Sequence, residues 1–115
     1  MEIKIKNLRY QYPKSERPVF DNFDFHATPG ITLLKGFSGC GKSTLLRLIA
    51  SLLKPSKGHI STSSQYPLHS SAYLRKEVGF VFQQLNLLPL ATIRRNIQMA
   101  AKLAGSSQDV AEEWI

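Results

Sequence analysis

Polar and apolar residues alternate through Glu2-Ile3-Lys4-Ile5-Lys6, and Leu8, Tyr10 and Tyr12 continue an every-second-residue spacing. That pattern predicts a strand with one wet face. Residues 13–18, bounded by Pro13 and Pro18, read as a turn. Residues 19–26 resume a strand with Phe23 and Phe25 on one face, so the opening predicts an antiparallel β layer over residues 1–30. His26 falls on a strand face and is assigned no chemistry. After the Thr28-Pro29-Gly30 turn, the short apolar run 31–34 predicts a buried strand. Residues 43–53 predict a helix, with Lys54 in its last turn and Pro55 stopping it. A turn at 56–58, a short strand at 59–62 and a polar surface loop at 63–71 follow. Val78-Gly79-Phe80-Val81-Phe82 predicts a strand buried on both faces, ending at Gln83-Gln84. Thr92 is placed to cap a helix with the apolar stripe Ile93, Ile97, Ala100 and Ala104, which Gly105 closes. Ser106 and Asp109 form a capping box for a further helix that runs into Ile115.

Between the run 31–34 and the first long helix stands Gly36-Phe37-Ser38-Gly39-Cys40-Gly41-Lys42-Ser43. This is the spacing of a phosphate-binding loop: Gly, four residues, then Gly-Lys and a hydroxyl. The chemistry requires these residue types. A triphosphate must exchange water for donors that need no rearrangement. Glycines at 36, 39 and 41 let the backbone take positive φ and bring its N–H groups up to phosphate oxygens. The helix behind the loop directs its positive end at the same place. Lys42 adds a full charge, and the Ser43 hydroxyl is positioned to coordinate Mg²⁺.

Composition narrows the setting. The chain has 115 residues, 43 % hydrophobic and 20 % charged, which suits one small globular domain at most. No apolar run approaches the ~20 residues of a membrane span, and no signal-peptide pattern opens the chain. The single cysteine, Cys40, excludes an internal disulfide and points to a reducing compartment. It occupies a variable loop position, where a small residue that simply fits outweighs a redox role. The net charge is +7, but the basic residues are scattered and do not alternate with stacking aromatics, so no nucleic-acid partner is expected.

A hydrolysing phosphate loop also uses a carboxylate at the end of a neighbouring buried strand. None of the acids Glu2, Glu16, Asp21, Asp24, Glu77, Asp109, Glu112 and Glu113 follows such a run. The sequence therefore reads as the N-terminal half of something larger, without the full equipment for hydrolysis.

The loop with its continuation Ser43-Thr44-Leu45-Leu46, the segment Pro55-Ser56-Lys57-Gly58-His59-Ile60, and Val78-Gly79-Phe80-Val81-Phe82-Gln83 together resemble the ATP-binding domain of ATP-binding cassette (ABC) transporters. Asn86-Leu87-Leu88-Pro89 with residues 92–97 resembles the start of that family's helical subdomain. The fold this implies is α/β: a P-loop NTPase (ABC ATPase) core with an N-terminal antiparallel β subdomain, here incomplete. The chain would divide into β-subdomain strands at 1–30, part of the P-loop core at 31–83, and the Q-loop with the start of the helical subdomain at 84–115. The implied nucleotide-binding residues are Tyr12, Gly36, Phe37, Ser38, Gly39, Cys40, Gly41, Lys42, Ser43 and Thr44, with Tyr12 stacking on adenine. Lys42 and Gln83 would be catalytic, and Ser43 and Gln83 would attend Mg²⁺. Lys35 departs from the apolar residue common before the loop. The resemblance implies Mg-ATP as cofactor, a membrane subunit and a second ATP-binding domain as partners, and a place on the cytoplasmic face of the cell membrane. The family's signature segment, strand-end Asp, catalytic Glu and switch His would lie past Ile115. The function implied is an ATPase subunit driving transport. A soluble, non-transport ABC-type ATPase acting as a nucleotide-dependent switch is the alternative.

Overall fold

The structure, a computed structural model, describes residues 1–82 and 87–105. It falls into two units, Met1–Ser70 and Ser71–Ile115.

The first unit is built on three antiparallel strands: β1 (Ile3–Tyr10), β2 (Phe20–Ala27) and β3 (Lys57–Thr62), in the order β2-β1-β3. Ile5 sits opposite both Phe25 and Ile60. Helix α1 (Lys42–Ile49) covers the sheet's inner face with Leu45 and Leu48, which join Ile5, Leu8 and Tyr10 in one buried cluster. The opening β layer is thus as expected, with one feature the alternation pattern already contained. The apolar positions switch from odd (Ile3, Ile5) to even (Leu8, Tyr10), yet Ile5, Leu8 and Tyr10 are all buried. A strand keeps both sets on one face only if an extra residue is inserted, as in a β-bulge. Asn7 is that residue, at φ 53, and its N–H donates to Asp24 Oδ1 at 2.7 Å. Asn22 in β2 (φ 56) and Gly58 in β3 (φ 91) take positive φ as well, and the pairing register shifts beside Asn7 on both sides.

Two expectations for this unit are corrected. Residues 31–34 pair with no strand among the described residues, and Ile31 and Leu33 are exposed while Leu34 packs on the core. An apolar run becomes a strand only when a neighbouring strand takes its N–H and C=O groups. The helix expected to reach residue 53 ends at Ile49. Ser51 adopts the left-handed conformation (φ 65), and the Ser51 and Leu52 amides turn back onto the carbonyls of Leu48 (3.2 Å) and Arg47 (2.9 Å). This double closure is the Schellman pattern, here carried by serine rather than glycine.

The second unit contains α2 (Ser71–Lys76) and α3 (Ile93–Ala104). Helix α2 starts at Ser71, where the expected loop ends; its Tyr73 is fully buried, and burial pushes the phenol pKa up. The α3 caps are as expected: Thr92 Oγ1 accepts from the Arg95 N–H at 3.1 Å, and Gly105 (φ 82) closes the helix. Asn96 ties the preceding loop down, accepting from Leu88 N at 2.8 Å and donating to the Thr92 carbonyl at 2.9 Å. The expected apolar stripe is corrected. Ile93 and Ala100 are exposed and Ile97 is half-buried, whereas Ala101 is buried. Which face of a helix is covered depends on what packs against it, not on periodicity alone. Residues 78–82 form no strand among the described residues, and Val81 is 96 % exposed, again for want of a ladder partner. The expectations for Gln83, for the Ser106–Asp109 capping box and for the helix after it lie outside the described residues. No helix among the described residues is long and apolar enough to cross a membrane.

Candidate functional site

The glycine-rich loop leads directly into α1, and the way that helix begins sets the chemistry. Gly41 is its N-cap at φ 107, a conformation L side chains avoid. A side chain there would also meet Val19 Cγ1 at 2.8 Å and the Phe20 ring at 3.0 Å. No side chain caps the first turn and no acidic residue stands in it, among the described residues. The leading N–H groups of a helix have no intrahelical acceptor, and here the helix dipole adds positive potential at that end.

Lys42 curls back over the loop. Its Nζ donates to the carbonyls of Gly36 (2.6 Å) and Phe37 (2.9 Å), with Cys40 Sγ at 3.7 Å. The Cys40 amide donates to the Phe37 carbonyl at 3.2 Å, closing the turn. Gly39 (φ 85) and Gly41 (φ 107) take the positive φ expected of the loop glycines, but Gly36 does not; a side chain there would crowd only Cys40 Sγ, which a χ1 rotation can move away. The structure thus seats the Lys42 ammonium over the loop, with Ser43 in the exposed first turn of α1. Phe37, Ser38, Gly39 and Ser43 are exposed there, and Cys40, Gly41 and Lys42 half-buried. Backbone amides and an ammonium gathered at one place can bind an anion.

Tyr12 also reaches this site. Its hydroxyl shares a hydrogen bond of 2.8 Å with Thr44 Oγ1, and its ring stands edge-on to Tyr10 at 5.0 Å and 84°. Tyr12 remains 36 % exposed, whereas Thr44 is 6 % exposed. Burial, and secondarily Tyr12, push the Tyr10 hydroxyl pKa up, keeping it neutral. The Tyr12–Thr44 link joins residues 32 positions apart and left no signal in the sequence.

Beneath the loop lies a cavity of about 190 Å³ between the aromatic side chains of β2 (Phe20, Phe23, Phe25) and Leu45, with Lys35, Cys40 and Lys42 also lining it. Lys35, which the sequence marked only as unusual, is thereby part of the loop's wall. Away from the loop, His26 is indeed an exposed strand residue, bonded through Nε2 to Glu2 Oε1 at 2.6 Å. No three His, Cys, Asp or Glu side chains converge among the described residues. Magnesium needs no such cage, because phosphates and waters supply most of its ligands and one or two protein oxygens suffice. The exposed Ser43 hydroxyl at the helix start fits that requirement.

A family model described as ABC transporter matches residues 20–115. An ABC transporter ATP-binding protein of Mycobacterium tuberculosis is 35 % identical over 114 residues, 92 % of this chain and 46 % of that protein. The osmoprotectant import ATP-binding protein OsmV of Salmonella typhimurium is 36 % identical over 108 residues, 90 % of this chain and 28 % of that protein. Among solved structures, a dimeric ATP-binding cassette in a post-hydrolysis state, bound to ADP and Pi, superposes with a TM-score of 0.73. Its sequence identity is 26 %, over 96 % of this chain and 53 % of that one. The fold is thus that of a P-loop ABC domain in part, and the chain spans about half the length of that M. tuberculosis protein and of the solved cassette.

Proposed function

This chain belongs to the ABC transporter family, and from that premise we propose that it is the phosphate-loop portion of an ATP-binding subunit whose full protein hydrolyses ATP to power transport. The observation that carries the proposal is the uncapped start of α1 facing a loop on which Lys42 Nζ already rests, 2.6 Å and 2.9 Å from two loop carbonyls. An arriving β- or γ-phosphate exchanges those ammonium–carbonyl contacts for ammonium–phosphate ones, in which both partners carry charge. The backbone amides from Gly36 through Thr44 cradle the remaining oxygens, and Ser43 offers its hydroxyl to Mg²⁺. A bound Mg²⁺ supplies neutralisation of charge on the phosphates.

In this reading Tyr12 stacks on the adenine, and Gln83 attends Mg²⁺ and the attacking water as the second catalytic residue beside Lys42. The division into a β subdomain at 1–30, a core part at 31–83 and the Q-loop with the first helical-subdomain residues at 84–115 belongs to the same reading. So do pairing with a second ATP-binding domain, docking on a membrane subunit and a position at the cytoplasmic face of the membrane. The names of the relatives, import and ATP-binding proteins of transporters, support this over a soluble nucleotide switch. The test is calorimetric titration of the full-length protein with ATP and Mg²⁺. Binding that is magnesium-dependent and weakened in Lys42→Ala is expected. Gln83→Ala should keep binding and lose hydrolysis. Equal ATP affinity with and without the Lys42 ammonium overturns the proposal.

A further inference from the structure

Thr44 stands in the phosphate-loop sequence, yet it is buried and its hydroxyl is engaged by Tyr12. The residue is 6 % exposed, and the hydrogen bond its hydroxyl makes to the Tyr12 phenol at 2.8 Å crosses from α1 to the segment just past β1. The same phenol ring is braced from a second direction by Tyr10, edge-on at 5.0 Å and 84°. Its backbone is braced as well, since the Tyr12 carbonyl accepts from Ser15 N–H at 3.0 Å and the Tyr10 carbonyl from Val19 N–H at 2.8 Å. A tyrosine has two rotatable side-chain bonds, and these two anchors hold both. More than a third of the residue nevertheless stays open to solvent. An exposed ring held in one orientation is a stacking platform that loses little conformational entropy when a flat ligand lands on it.

The geometry points to Thr44 as a positioning residue: its hydroxyl sets the orientation of Tyr12 for the nucleotide base, while its contribution to the phosphates is confined to its backbone amide. This rests on the nucleotide reading above and deepens it. The hydroxyl acts on the base end of the ligand and not on the triphosphate end, so the two ends should respond differently.

The experiment compares the affinities of the full-length protein for Mg-ATP and for inorganic tripolyphosphate, which has no base. Thr44→Val removes the hydroxyl at constant shape, and Tyr12→Phe removes it from the other side while keeping the ring. Each should lower the ratio of ATP to tripolyphosphate affinity about 2- to 12-fold, the range of one hydrogen bond. Thr44→Ser should restore the ratio, and the double variant Tyr12→Phe/Thr44→Val should fall no further than either single. Thr44→Val weakening both ligands in the same proportion, or leaving the ratio unmoved, overturns the inference. So does an additive double variant. Lys42→Ala is the separate arm for the parent reading: it should weaken both ligands, and if it weakens neither, the nucleotide reading fails first.

Discussion

Replacing Gly58 by alanine tests the bulged sheet that supports the loop. Gly58 lies in β3 at φ 91, and a Cβ built on it falls 2.3 Å from the Asn7 carbonyl oxygen, 2.6 Å from its carbon and 2.7 Å from the Lys6 oxygen. Ordinary C···O approaches are about 3.3 Å or longer, so the overlap is about 1 Å. These are backbone atoms of the central strand, and Asn7 is pinned from its other side by Asp24 at 2.7 Å. The crowding cannot be relieved by a rotamer change. A left-handed conformation costs an alanine about 1–2 kcal/mol, and forcing atoms into a packed site costs a further ~1–3 kcal/mol. Gly58→Ala should therefore lose about 2–5 kcal/mol, a large share of a typical domain's stability. Gly39→Ala isolates the conformational part, because Gly39 has φ 85 but nothing within 4 Å of its would-be Cβ. It should lose only about 1–2 kcal/mol. Urea unfolding of the full-length protein, followed by circular dichroism and read as a shift in midpoint at constant slope, measures both. A Gly58→Ala loss no greater than that of Gly39→Ala would refute the argument that the bulge at Asn7 demands a glycine opposite it.

Three further outcomes follow from the same structure. Lys42→Ala should weaken Mg-ATP binding about 10- to 150-fold in calorimetry, the range for losing one charge-assisted hydrogen bond. Thr92→Ala should destabilise α3 by about 1 kcal/mol, seen as faster amide exchange at Arg95, whereas Thr92→Ser keeps the cap. The Glu2 carboxyl is held below its ordinary 4.5, first by the hydrogen bond with His26 and then by the charge of Lys4. A depressed carboxyl pKa gives stability that is present above the unfolded value and lost as pH falls through the lower folded one. Urea midpoints measured across the acid range below pH 4.5 should drop less steeply in Glu2→Gln than in the parent protein.

Much of this was legible because it is local. The glycines, lysine and hydroxyl of residues 36–43 lie within a single turn of chain, and their spacing alone dictates a cluster of free amides beside an ammonium. The α3 caps are equally local, since Thr92 needs only the amide three residues on and Gly105 only its own freedom of φ. The bulge at Asn7 was present in the switch of apolar parity between Ile5 and Leu8 but becomes a bulge only when Phe25 and Ile60 are seen across from Ile5. The runs at 31–34 and 78–82 show the opposite case, being strand-like in composition but unladdered among the described residues. An isolated extended segment satisfies nothing by itself.

From its sequence alone, then, this protein owes its glycine-rich, lysine-bearing loop and, with the segments at 55–60 and 78–83, the family those motifs point to, because backbone geometry and charge over a few consecutive residues need no distant partner. Tertiary structure alone decided that the Thr44 hydroxyl meets Tyr12 and that α3 buries Ala101 and exposes Ala100. Each of those outcomes depends on how distant groups come together in space, and a linear pattern of residues carries no record of that geometry.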